Sequence, residues 1–235
     1  MNLYERKVND DLDKWRKEMQ KKANLLESAS KGVQTKTQKL IPQKVQDTIS
    51  TTMSGMVKTV MFGSGLTTIH EDTSDLSLSE SDFLALQQFK SYKKSAVVSG
   101  AGIGAGGLIL GLADLPSLIA IKIKFLFDCA KLYGYDIDEP SERLFILYVF
   151  QMAFSSRAHR LTVYEIIENW DDHHPDVVDW EKFQIEYRDY LDTAKLLQLV
   201  PVIGSAVGAA SNNYLMDRLL VNAMNSYRLR RLRIR

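Results

Sequence analysis

The chain has 235 residues, 45% of them hydrophobic, which is enough for one large domain or two small ones around a sizeable core. A net charge of +1 and a slightly negative mean hydropathy exclude a polycation built for nucleic acid and a polytopic membrane protein. A single cysteine, Cys129, excludes an internal disulfide and a cysteine-based metal cluster; the expected place for this thiol is the core of a protein kept in a reducing compartment.

In chain order, the N-terminus "MNLYERKVNDDLDKW" is charged from Glu5 onward and lacks the apolar stretch of a signal peptide, which predicts a cytoplasmic location. Val8, Leu12, Trp15, Met19, Ala23 and Leu26 recur at helical spacing with charge between them, an amphipathic helix. A second helix is expected from Pro42, with Val45, Ile49, Met53, Met56 and Val60 on one face. Its surroundings are basic: Lys31 to Lys58 holds five lysines, Lys36, Lys39 and Lys44 among them, against Asp47 alone. Together these helices form an N-terminal segment, residues 1–63. Residues 64–82, "SGLTTIHEDTSDLSLSESD", are polar and without periodicity, and read as an exposed acidic linker or loop closed by a helix cap at Ser79 or Ser81.

Residues 83–235 then form a helical core with a basic tail. Within it, "GAGIGAGG" satisfies the G-x-G-x-x-G spacing of a dinucleotide loop from Gly102. Such a loop needs a strand before it, whereas "FLALQQFKSYKKSAVV" has helical periodicity; Asp128, at the distance of a ribose-binding acid, also sits in a helical stretch. The preferred reading is close helix approach through Gly100, Gly102, Gly104, Gly106, Gly107 and Gly111, matched later in the chain by Gly204 and Gly208. Ala96 to Ala113 is uncharged for eighteen residues, about 27 Å as a helix, a borderline length for a bilayer and rich in glycine. Association with a membrane surface is favoured over a span.

Downstream, Asp114 is an expected N-cap with Pro116 in the first turn, and Gly134 an expected stop. "DEPSERLFILYVFQMAF" starts at Pro140 or Ser141 and is apolar almost all round, which predicts the buried centre of the domain. Residues 165–192 carry ten acids against Lys182 and Arg188, an exposed acidic block that includes "DDHHPD". Its adjacent histidines point in different directions, so an interhelical loop is preferred to a metal site. A last helix, opened by Pro201, ends on Arg228, Arg230, Arg231, Arg233 and Arg235, interleaved with Leu229, Leu232 and Ile234, the mixture an interfacial segment needs. No alternating strand pattern occurs, so the class is all-α: a single multi-helix domain with two glycine-rich, closely packed apolar helices.

No nucleophile elbow, P-loop or paired Cys/His motif is present, and no enzymatic activity, cofactor or nucleic-acid partner is expected. The stretch "GLADLPSLIAIKIKFLFDCAKLYGYDIDEPSERLFILYVF" resembles the core of EcsC proteins in its D-L-P turn, its Y-G-Y-D at Tyr133 to Asp136, and Pro140 with Glu142 and Arg143. "VPVIGSAVGAASNNY" is similar to the family's second mark, a P-x-x-G-x-x-x-G helix followed by asparagine. The resemblance implies a helical accessory protein of the Ecs ABC transporter system, linked to secretion, with no established activity. It also implies that Asp114, Pro116, Gly204, Gly208 and Asn213 determine the fold. The expectation is a peripheral protein at the inner face of the membrane, meeting anionic lipid or an acidic partner through Lys36, Lys39, Lys44 and the five arginines, with ABC transporter subunits as possible partners. The alternatives are a soluble ligand binder or enzyme, and a regulatory adaptor using the acidic face.

Overall fold

A computed structural model describes residues 1–21, 43–103, 115–177, 179, 183 and 204–233. Side chains at 43–46, 49, 97–103, 115, 157–158 and 204–212 are outside that description, as are the expectations placed on Ala23, Leu26, Lys36, Lys39, Pro42, Gly104, Gly106, Gly107, Gly111, Asp114, Pro201 and Arg235. The described residues form seven helices and no strand: α1 Leu3–Gln20, α2 Gln43–Phe62, α3 Leu78–Ile103, α4 Leu115–Leu132, α5 Pro140–Phe154, α6 Arg157–Glu168 and α7 Gly204–Arg233. The all-α class read from the sequence is the class observed.

Local chemistry sets the helix ends. Asn2 opens α1 with a capping box: its Oδ1 accepts from the Glu5 amide at 2.8 Å, and the Glu5 carboxylate accepts from the Asn2 amide at 2.9 Å. The face of α1 that turns inward is Val8, Leu12, Trp15 and Met19, the periodic set of the sequence. At α3 the expected caps, Ser79 and Ser81, are displaced by Ser77, whose hydroxyl accepts from the Glu80 amide at 3.3 Å while its own amide donates to Glu80 Oε2 at 2.8 Å. Glu80 stands three residues after Ser77 and completes the reciprocal pair, whereas the acid three residues after Ser79, Asp82, is taken by Arg228.

Helix α4 stops at Gly134, whose φ of +80° admits the left-handed turn, and the Tyr135 amide closes that turn on the Ala130 carbonyl at 3.1 Å. Pro140 starts α5, whose residues from Leu144 to Phe154 are all buried. This helix is the hub, with α2, α4, α6 and α7 packed around it. Burial on every side explains why its sequence shows no polar face.

The N-terminal helices do not form a separate lobe. Helix α1 lies on α7, α6 and α3, and α2 lies on α5 and α4. Nor is the polar connection before α3 a free linker. The Thr73 hydroxyl donates to the Lys131 carbonyl, Thr73 is buried, and Leu66, Ile69 and Leu76 pack against the core. Much of the segment is exposed, Glu71, Asp72 and Ser74 among it, while the hydroxyls of Thr67, Thr68 and Thr73 tie it to α4.

Candidate functional site

Helices α3 and α7 form the most extensive pair in the molecule and run antiparallel. Two ion pairs fix their register: Arg228 Nη2 to Asp82 Oδ2 at 2.9 Å, and Lys93 Nζ to Asp217 Oδ1 at 2.6 Å. Eleven residues separate the anchors on each helix, so the two advance in step. Nine further residues along this register bring Gly102 level with Gly208. The two helices singled out by their glycines are neighbours, and a register continued unchanged would set Gly102 and Gly208 at one height.

The other end of this pair is charged and buried. Asp82, 1% exposed, receives the Tyr4 hydroxyl at 2.6 Å, the Tyr133 hydroxyl, and Arg228 Nε at 3.0 and 3.1 Å on its two oxygens. Burial first, and then the Asp82 carboxylate, push the Tyr4 phenol up to about 12 and the Tyr133 phenol well above its ordinary value. Both tyrosines therefore remain donors at neutral pH.

One helical step on, Arg230 forms a bidentate pair with Glu142, each N···O distance being 2.7 Å, and bonds Asp171 through Nε at 2.8 Å. Its guanidinium lies between two rings, 4.0 Å from the centroid of Tyr135 and 4.5 Å from that of Phe145. Arg231 donates to the carbonyls of Tyr133 at 2.6 Å and Leu76 at 2.7 Å. Arg233, at the rim, meets Asp172 at 3.4 Å and donates to the Glu168 carbonyl.

This arrangement corrects the expectation that Arg228, Arg230 and Arg231 face a membrane or an acidic partner. They are claimed inside the molecule, Arg230 with only 5% of its surface exposed. In the acidic block, whose Glu165, Asp171, Asp172, Asp176 and Asp179 are exposed as expected, Asp171 and Asp172 also meet arginines of α7, and Glu168 accepts from Tyr164 and meets Arg16 at 3.7 Å. The two charge blocks of the sequence thus meet at two places, Asp171 with Arg230 and Asp172 with Arg233. The pairing spans 59 residues between Asp171 and Arg230, a separation that composition does not report.

A third buried carboxylate, Asp128, lies near the end of α4. It accepts from Thr67 Oγ1 at 2.7 Å, Thr68 N and Oγ1 at 2.6 Å each, Gln88 Nε2 at 2.9 Å and Tyr92 Oη at 2.7 Å. Burial pushes its carboxyl upward, but hydrogen bonds from Thr68, Gln88 and Tyr92 outweigh that and hold it below the usual value. Arg143 caps the end of α2, donating to the carbonyls of Val60, Met61 and Gly63 at 3.3, 3.2 and 2.7 Å. Cys129 is fully buried, and burial above all pushes its thiol far up, which disfavours the thiolate form.

These centres have their lone pairs and donors occupied by the fold, which makes them clamps. Sequence reasoning missed Asp82, Glu142 and Asp171 as partners of the arginines. A local signal existed only for Asp128 and Glu142, acids set in or beside otherwise apolar helices. His174 stacks on Trp170 with centroids 4.7 Å apart, and no cluster of metal-ligating side chains occurs among the described residues.

The fold and its clamps define a helical domain in which an arginine-rich helix end is drawn into the core by acids from three other places in the chain. Its sequence matches the EcsC protein family over residues 6–232, and the chain belongs to that family. It is 43% identical to Protein EcsC of Bacillus subtilis (strain 168) across 92% of this chain and 91% of the relative. It is 30% identical to the uncharacterized protein YdbA of the same organism across 69% of this chain and 62% of that one. No solved structure matches.

Proposed function

We propose that this protein is a non-enzymatic accessory component of an ABC transporter system linked to secretion, held peripherally at the cytoplasmic face of the membrane. The observation that carries the reading is similarity to EcsC along nearly the whole length of both chains. No described helix is long and apolar enough to cross a membrane, which favours surface contact over a span.

With three of its arginines engaged internally, the surface contact needs other groups. The Tyr4–Asp82 bond brings the start of α1 beside the start of α3, where Leu3 is 85% and Phe83 66% exposed. Arg6, Lys7 and Lys90, on the same two helices, are also exposed. Apolar side chains among cations are the composition that anionic interfaces attract, with about 1 kcal/mol from each cation near the surface. Lys36, Lys39, Lys44 and Arg235 extend the same proposal to segments whose side chains are outside the description.

Fractionation of cells at low and high salt, with sedimentation of anionic liposomes, tests the location. The wild-type chain is expected to pellet at low salt and to be released partly by salt, and Leu3→Asp/Phe83→Asp to pellet several-fold less. A chain that stays in the supernatant at both salts and ignores liposomes ends the surface reading. Affinity capture from a host carrying the transporter tests the partner, and absence of its subunits from the eluate would end that part.

A further inference from the structure

On the outer side of α3, Phe83, Leu86, Lys90 and Lys94 form one stripe. At about 100° per residue the last three fall within about 60° of Phe83 around the helix axis, and all four are exposed. From Phe83 to Lys94 the stripe runs about 16 Å along the helix. Lys93 turns aside to Asp217 at 2.6 Å, whereas no ion pair meets Lys90 or Lys94 among the described residues. Like charges four residues apart repel on a helix, so an anionic layer over the stripe relieves a cost that the fold leaves in place.

The roll of α1 adds to this side. Tyr4 reaches Asp82 on α3, and Arg16, about 120° further around α1, approaches Glu168 on α6 at 3.7 Å. Leu3 and Lys7 leave Tyr4 in the opposite rotational sense, away from α6, and both are exposed. Helix α7 separates this side from the acids. Arg228 turns to Asp82 on α3, while Arg230, about 200° further around, turns to Asp171, and Arg233 meets Asp172. Asp171 and Asp172 thus lie across α7 from α3. The other exposed apolar side chains have acidic neighbours: Val177 follows Asp176, and Phe62 ends α2 beside Gly63, whose carbonyl Arg143 joins to Asp138. The N-terminal tip of α3 is acidic as well. Hydrogen bonds from Ser77 hold the exposed Glu80 carboxyl below its usual range, and those from Ser74, its amide first, do the same for Asp72.

We propose that α3 lies flat along a bilayer rich in anionic phospholipid, with Phe83 and Leu86 among the upper acyl carbons and Lys90 and Lys94 at the phosphates. Leu3 and Lys7 of α1 enter beside them. This rests on the peripheral attachment proposed for the protein, and adds which face is applied and at what angle. A tip-first approach would press Glu80 and Asp72 into like charge, and an approach from the α6 side would press Asp171 and Asp172 there. The flat one meets the lipid with the stripe and turns those two acids away, at the shallow depth of about 5–10 Å that suits an interfacial helix.

The test uses the full chain with vesicles of phosphatidylglycerol and phosphatidylcholine in equal parts. Lys90→Glu/Lys94→Glu is expected to lower vesicle affinity by about tenfold or more, and Lys58→Glu/Lys124→Glu, the same charge change at exposed lysines of α2 and α4, by less than about threefold. An unchanged thermal transition shows that each variant is folded. In a Cys129→Ala chain, single cysteines at Phe83, Gln87 and Lys94 carry a fluorophore that brominated lipid quenches. Flat contact predicts similar quenching at the three positions and none at Phe62 or Val177 labelled in the same way. A wild-type chain that ignores the vesicles ends peripheral attachment and the orientation together. Vesicle binding that survives the Lys90/Lys94 change or falls equally in the control pair overturns the orientation and leaves peripheral attachment standing. So does quenching that falls steeply from Phe83 to Lys94 or is confined to Phe62 or Val177.

Discussion

Arg230 shows how an arginine can be mistaken for a surface residue when only its neighbours in sequence are seen. In "RLRRLRIR" the helix period sends successive arginines around the cylinder, and the sequence does not say which side is occupied. The structure fills that side with Glu142 and Asp171. Removal of one member of a buried ionic cluster leaves the others uncompensated. Arg230→Met is therefore expected to lower stability by about 3–5 kcal/mol in urea titrations, and the further change Glu142→Leu to recover part of that loss. Lys122, 4% exposed and without a carboxylate partner among the described residues, predicts the opposite sign: Lys122→Met should be more stable than wild type by about 1–3 kcal/mol at pH 7, since the desolvated ammonium is removed. Its folded pKa, about 8, lies below the unfolded value of about 10.4, so the folded state carries a penalty that is complete below pH 8 and fades as pH rises toward 10. Denaturation midpoints from pH 7 to 10 should thus converge for the two proteins. Asp128, held below the usual carboxylate range, adds stability above the unfolded value of about 4 and loses it as pH falls through its folded value. Asp128→Asn should cost about 2 kcal/mol at neutral pH and flatten acid unfolding in its first stage, since several donors lose their charged acceptor.

At the level of elements, the helices were legible in the sequence wherever a periodic apolar face coincided with a capping residue or a stop. The inward face of α1, the buried α5 and the Gly134 stop are all local patterns, and all are present. The Ser77 cap was obscured by four serines in a row of eight residues, and only the reciprocal bond with Glu80 separates them. The pairing of α3 with α7 is held in register by Asp82–Arg228 and Lys93–Asp217, long-range pairs that no local pattern announces. That register makes a direct prediction. Cysteines at Gly102 and Gly208, in a chain whose Cys129 is replaced by alanine, should cross-link on mild oxidation, whereas cysteines at Ala96 and Gly208 should not. Failure of the first pair with success of the second would show that the step of the two helices is different at their glycine ends.

For the whole molecule, the fold class and the family were readable, while the candidate site was readable only as two charge blocks. Opposite charge in distant segments is compatible with external partners and with internal pairing, and only three-dimensional closure decides between them. The result is a domain tied together by long-range polar contacts: Tyr4 to Asp82 across 78 residues, Arg228 to Asp82 across 146, and Arg230 to Glu142 across 88. Removing residues 228–235 should therefore cost the fold itself, read as loss of the cooperative thermal transition, and not merely a surface affinity. A truncated chain that keeps its transition and loses only liposome binding would restore the interfacial reading of that segment.

The Asp82–Arg228 pair has a further meaning in time. Asp82, Glu142 and Asp171 are all synthesised before the arginines that neutralise them, and until α7 arrives each must stay hydrated or pick up a proton. Helices α3 and α5 thus cannot both settle dry onto α4 while translation is in progress, because burying those carboxylates alone is prohibitive. The arrival of the arginines makes dehydration favourable, so the same ionic contacts that clamp the finished protein also act as a gate on when its core can close.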